Sequence, residues 1–68
     1  MIEMEIFTVL STRDTGGALI IRDTSGYEHR VSGYDRNGVS YGEISVGDYV
    51  ELEYQRQTVT AWTLLRKA

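Results

Sequence analysis

Entered through Gly47-Asp48, the segment Tyr49-Val50-Glu51-Leu52-Glu53-Tyr54 alternates Val50, Leu52 and Tyr54 with Tyr49, Glu51 and Glu53. Successive side chains of a strand point to opposite faces, so this period of two describes a ribbon with one buried apolar face and one wet acidic face. The rest of the chain repeats the theme between glycine-containing turns, and the expected class is all-β.

The chain has 68 residues, which predicts a single domain over residues 1–68 that hides only about 60% of the surface its unfolded chain exposes. Cysteine and proline are both absent. Neither a disulfide nor a thiolate metal site can therefore add to the core, and stability must come from a closed, well-packed barrel or from burial against a partner.

Five strand-like runs are expected. The first covers residues 2–11 and changes parity, with Ile2, Met4 and Ile6 on one side and Phe7 and Val9 on the other. A bulge near Ile6 and Phe7 would turn both sets inward, as a long first strand does when it bends around a small barrel. Residues 18–23 and 27–32 make a hairpin about the turn Asp23-Thr24-Ser25-Gly26. Residues 33–47 hold four glycines and read as a long loop with a short turn, not a helix. Residues 49–56 and 59–66 form the last two strands, joined tightly. Glycine- and tyrosine-containing stretches after Gly26 and after Gly33 look faintly duplicated, but so short a near-repeat is expected to be chance. Five short strands with a long third connection predict a small five-stranded Greek-key barrel of the oligonucleotide/oligosaccharide-binding (OB) type, with an SH3-like barrel as the alternative.

Nothing in the residue pattern selects an enzyme. The single histidine, His29, has no serine and acid at a spacing that picks out a triad, and a partly buried, hydrogen-bonded histidine is the expectation. The pairs Glu3/Glu5 and Glu51/Glu53 read as solvated strand faces, Gly16-Gly17 as a plain turn, and no metal site or cofactor is expected. The longest uninterrupted apolar run, residues 18–21, is too short for a membrane span or signal core, so no membrane association and a cytoplasmic location are expected.

Binding character lies on the second and third runs. With Leu19, Ile21 and Val31 inward, Ile20, Arg22 and Arg30 point outward. Tyr27 and Tyr34 stand at or beyond the strand ends, and Arg36 lies in the long loop. Arginine fixes phosphates and tyrosine offers a flat platform for an unpaired base, so Arg22, Arg30, Arg36, Tyr27 and Tyr34 are the expected contacts to single-stranded nucleic acid, RNA before DNA. Ten acids against seven bases give a net charge of −3, where a dedicated nucleic-acid binder usually carries a basic surplus. The competing class is therefore a protein-interaction module or homodimer using Ile20, Trp62 and the acidic fourth strand.

The chain resembles bacterial translation initiation factor one, a minimal OB-fold protein. The resemblance rests on Ile2-Glu3-Met4-Glu5, Thr8-Val9-Leu10, Ser25-Gly26, Ser32-Gly33 with Arg36, and Ile44 with Gly47-Asp48-Tyr49-Val50-Glu51-Leu52. It implies an RNA-binding barrel that docks on the small ribosomal subunit. Asp35, Ser40 and Glu43 stand where that family is strongly basic, which fits a diverged accessory protein of a phage or mobile element as well as a factor.

Overall fold

The computed structural model describes residues 2–68. Six strands follow one another: β1 (Glu3–Thr8), β2 (Ser11–Asp14), β3 (Leu19–Arg22), β4 (Glu28–Val31), β5 (Tyr49–Gln55) and β6 (Thr58–Arg66), with one 3-10 turn at Tyr41–Glu43 before β5. They make two three-stranded antiparallel sheets, β1-β5-β6 and β2-β3-β4. The class is all-β, and the two sheets do not close into one continuous ladder. No helix among the described residues is long and apolar enough to cross a membrane.

The expected first strand is two strands, because the chain turns at Val9 and Leu10. Val9 donates its N–H to the Asp48 carbonyl at 2.8 Å and accepts from Gly47 N–H at 2.8 Å, while the Leu10 N–H has moved to the Arg22 carbonyl at 3.0 Å. One backbone stretch thereby leaves the first sheet and enters the second. The bend falls after Phe7, not at Ile6–Phe7, so the parity of β1 never reverses. Phe7 and Val9 are buried, and Ile2, Met4 and Ile6 remain 61%, 57% and 50% exposed. The expectation that both sets turn inward is corrected accordingly. The inward positions of β1 go to Glu3, Glu5 and Phe7, which stand opposite Tyr54, Leu52 and Val50.

The core forms where the sheets face each other. Ile21, Leu52, Val9, Val31 and Val50 are all but sealed from water, joined by Phe7, Leu19, Ile44, Tyr54 and Trp62. Full burial of a side chain such as Ile21 or Leu52 contributes roughly 1.5–3 kcal/mol. The expected alternation holds along β5, where Val50, Leu52 and Tyr54 are buried between more exposed neighbours.

Three aspartates are buried with this core: Asp23, Asp35 and Asp48. Asp23 and Asp35 divide their two carboxylate oxygens between a local turn and a distant partner, while Asp48 Oδ2 serves both at once. Asp23 Oδ1 accepts from the Ser25 and Tyr27 N–H groups, and Asp35 Oδ1 accepts from Asn37 and Val39, all at 2.7–3.0 Å. Asp48 Oδ2 accepts from Ser45 N–H. The remaining capacity reaches across the molecule, from Asp23 to His29, from Asp35 to the Leu64 N–H, and from Asp48 to Lys67 and the Ala68 N–H. Buried charge is tolerated here because each carboxylate is fully hydrogen-bonded.

Candidate functional site

Strands β4 and β6 are the facing edges of the two sheets, and no ladder joins them among the described residues. They are tied at one end, where the Trp62 indole N–H donates to the Ser32 carbonyl at 3.1 Å and the Arg36 N–H to the Trp62 carbonyl at 3.3 Å. Along the rest of the seam lies a groove of about 500 Å³. Its walls include Arg30, Tyr34 and Arg36 on one side and Gln57, Thr58 and Thr60 on the other.

The local structure explains why these side chains reach the groove. Arg30 follows from strand alternation: Val31 is buried, so its neighbour faces out, directly across the ladder from Ile20. Tyr34 is 74% exposed and forms an isolated bridge with Ser40. Arg36 occupies the second position of the loop that Asp35 organises, and its guanidinium pairs with Glu53. Gln57 and Thr58 come from the β5–β6 hairpin, whose two central residues, Arg56 and Gln57, both take positive φ, 51° and 71°. That is the type I′ geometry that a two-residue hairpin needs, here built without glycine.

Of the five residues expected to contact nucleic acid, the structure brings Arg30, Tyr34 and Arg36 together. Arg22 and Tyr27 lie elsewhere: Arg22 pairs with Glu28 at 3.2 Å on the exposed face, and Tyr27 is 70% exposed in the β3–β4 turn. Arg30 has no acidic partner among the described residues. Ile20 sits half-buried on the outer face beside Arg30. Trp62, expected at a subunit interface, is only 4% exposed and belongs to the chain's own core. The reason is register, since Trp62 pairs with Leu52 and so shares its inward face.

A second polar cluster centres on His29, which also lines the groove. His29 reaches Asp23 Oδ2 through Nε2 at 2.7 Å, and Glu5 Oε2 lies 3.7 Å from the same nitrogen. The Tyr54 hydroxyl donates to Glu5 at 2.7 Å and sits 3.3 Å from the histidine ring nitrogens. Burial raises the Asp23 carboxyl, but the His29 contact and the Tyr27 and Ser25 N–H groups outweigh it and hold the group below the ordinary carboxylate value. Burial, reinforced by Glu5, pushes the Tyr54 phenol well above its ordinary value, so it remains a neutral donor. The expectation of a partly buried, hydrogen-bonded His29 is met. That of a solvated Glu5 is met only in part: its side chain is 35% exposed, and the unbroken parity of β1 turns it toward the Tyr54 hydroxyl.

No protein-family model, curated protein or solved structure matches this chain.

Proposed function

We propose that the protein is a non-enzymatic binding module built as a partly open OB-like barrel, and that the β4–β6 groove takes single-stranded nucleic acid. Taking β1 and β2 as one bent strand, the order around the molecule is bent strand, β3, β4, groove, β6, β5 and back to the bent strand, the circuit of a five-stranded Greek-key barrel left open at one seam. An SH3-like barrel would set its last strand beside its first, whereas β5 stands between them here.

The observation that carries the binding reading is the convergence on one groove of Arg30, which has no acidic partner among the described residues, an exposed Tyr34 and Arg36. Arg36 must exchange Glu53 for phosphate, so the electrostatic share of binding is small, in keeping with the net charge of −3. Anisotropy of a labelled single-stranded oligonucleotide tests this. Affinity is expected to fall with salt at a slope of about −0.7 per phosphate engaged. Arg30→Ala lowers both affinity and slope, while Tyr34→Ala weakens binding by about 1–3 kcal/mol at unchanged slope, because stacking releases no ions. Absence of binding at low ionic strength would remove the nucleic-acid reading.

A second reading is favoured by Met4 and Ile6, with Ile2 just before them, which leave an apolar stripe along a strand whose outer edge has no ladder partner among the described residues. Here the function is protein interaction, with a second copy of the chain as partner, since antiparallel pairing of two identical edges satisfies a twofold axis. Sedimentation equilibrium would show a dimer that Ile6→Lys dissociates. A monomer at every concentration removes this reading.

A further inference from the structure

We propose that Glu5, Asp23 and His29 form a binding site for a divalent transition-metal ion, with zinc the best match, that fastens one sheet to the other. The three donors come from both sheets: Glu5 from β1, His29 from β4 and Asp23 from the turn between β3 and β4. One ligand atom from each lies within 4.8 Å of the others. A nitrogen and two carboxylate oxygens form a donor set that zinc accepts, with a fourth position left for water.

The distances are close to what such an ion needs. Bonds of about 2.0 Å in tetrahedral geometry set ligand atoms roughly 3.3 Å apart. His29 Nε2 and Glu5 Oε2 are already 3.7 Å apart. His29 Nε2 and Asp23 Oδ2, at 2.7 Å, share a proton whose place the ion would take, and they need only a small separation to admit it.

The surroundings hold the ligands in place. Asp23 is 1% exposed, and its Oδ1 is committed to the Ser25 and Tyr27 N–H groups, which directs Oδ2 at His29. Tyr54 stands as donor to Glu5, orienting that carboxylate. Such outer partners fix ligand geometry and usually change metal affinity by about ten- to a hundredfold when removed. Glu5 also breaks the pattern of its own strand, a glutamate facing inward while Met4 and Ile6 face water. Local rules tend to be broken where a site requires it.

The test uses chelator-treated protein titrated with zinc chloride at neutral pH, read by calorimetry and by thermal melting. One equivalent is expected to bind and raise the melting temperature. Cobalt chloride should give the intense visible absorption of a four-coordinate ion, and calcium chloride should have no effect. Glu5→Gln, which leaves the Asp23–His29 contact intact, should weaken zinc binding about tenfold or more, as should His29→Gln, with Glu51→Gln as the unaffected control. No heat and no change in melting at millimolar zinc would overturn the proposal. Equal affinity in Glu5→Gln, or an equal response to calcium, would overturn it too.

Discussion

Gly47 is the residue where backbone and packing coincide most tightly. Its φ of 93° lies in the left-handed region, and a Cβ placed there would come within 2.9 Å of the Ala68 side chain. Its N–H also holds the Val9 carbonyl, so the bend between β1 and β2 depends on this position. Gly47→Ala should therefore destabilise by more than the roughly 1 kcal/mol that a strained φ alone implies, as a lowered urea midpoint. Gly17 has neither positive φ nor a close neighbour. Gly17→Ala should leave the midpoint nearly unchanged, and equal loss in the two variants would refute the assignment.

Asp35 is the second case at this scale. Its carboxyl is raised by burial but lowered further by the N–H groups of Leu64, Val39, Asn37 and Gly38, with a net shift below the ordinary value. Asp35→Asn keeps the shape but cannot accept at both ends. A loss of roughly 1.5–3 kcal/mol at neutral pH is expected from urea titration, the range for hydrogen bonds to a charged group.

At the scale of elements, the β5–β6 hairpin places Arg56 and Gln57 in a conformation that glycine and asparagine adopt far more easily. The double substitution Arg56→Asn, Gln57→Gly should stabilise the chain by about 1 kcal/mol, visible in the urea midpoint, since left-handed backbone is costly for other side chains. Because Gln57 lines the groove, ligand affinity measured in the same variant shows whether the strained turn serves binding.

The elements were largely legible in the sequence because period-two alternation and turn glycines are local signals. Residues 49–56 and 59–66 match β5 and β6 to within a residue or so, and Leu19, Ile21 and Val31 face inward as expected. The break at Val9–Leu10 was not legible, since hydrogen bonds to Gly47, Asp48 and Arg22, distant in sequence, decide it. A different similarity, not the near-repeat after Gly26 and Gly33, is structural. Asp23-Thr24-Ser25-Gly26-Tyr27 and Asp35-Arg36-Asn37-Gly38-Val39 share a turn in which the aspartate side chain accepts from residues two and four ahead and glycine takes positive φ. The Asp-X-Ser/Asn-Gly spacing carried that signal. Half of the candidate site escaped because the Glu5–His29–Tyr54 cluster depends on which face of β1 is inward, and apolar Met4 and Ile6 pointed the wrong way.

For the whole molecule, the three buried aspartates define an acid limit. Asp23, Asp35 and Asp48 are each raised by burial and brought below the ordinary value by their donors: His29 with backbone N–H groups for Asp23, backbone alone for Asp35, and Lys67 with backbone for Asp48. A depressed folded-state value means that the stabilisation is complete above the unfolded value of about 3.9 and is lost as pH falls through the lower folded values. Stability should accordingly be nearly flat from neutral pH to about pH 5 and decline steeply below about pH 4. Urea titrations across this range check it. A limb of unchanged steepness in Asp35→Asn would show that the carboxylates do not set the limit.

The pairing of β1 with β5 puts Glu3 opposite Tyr54, so the strand made early is completed by one made late. At roughly 5–20 residues per second of synthesis, β1 spends several seconds without its neighbour. During that interval Phe7 and Val9 stand bare along with Met4 and Ile6, and the strand has two open edges instead of one. Nascent chains of this protein are thus most exposed to wrong partners before residue 55 emerges, a hazard of timing that the finished fold conceals.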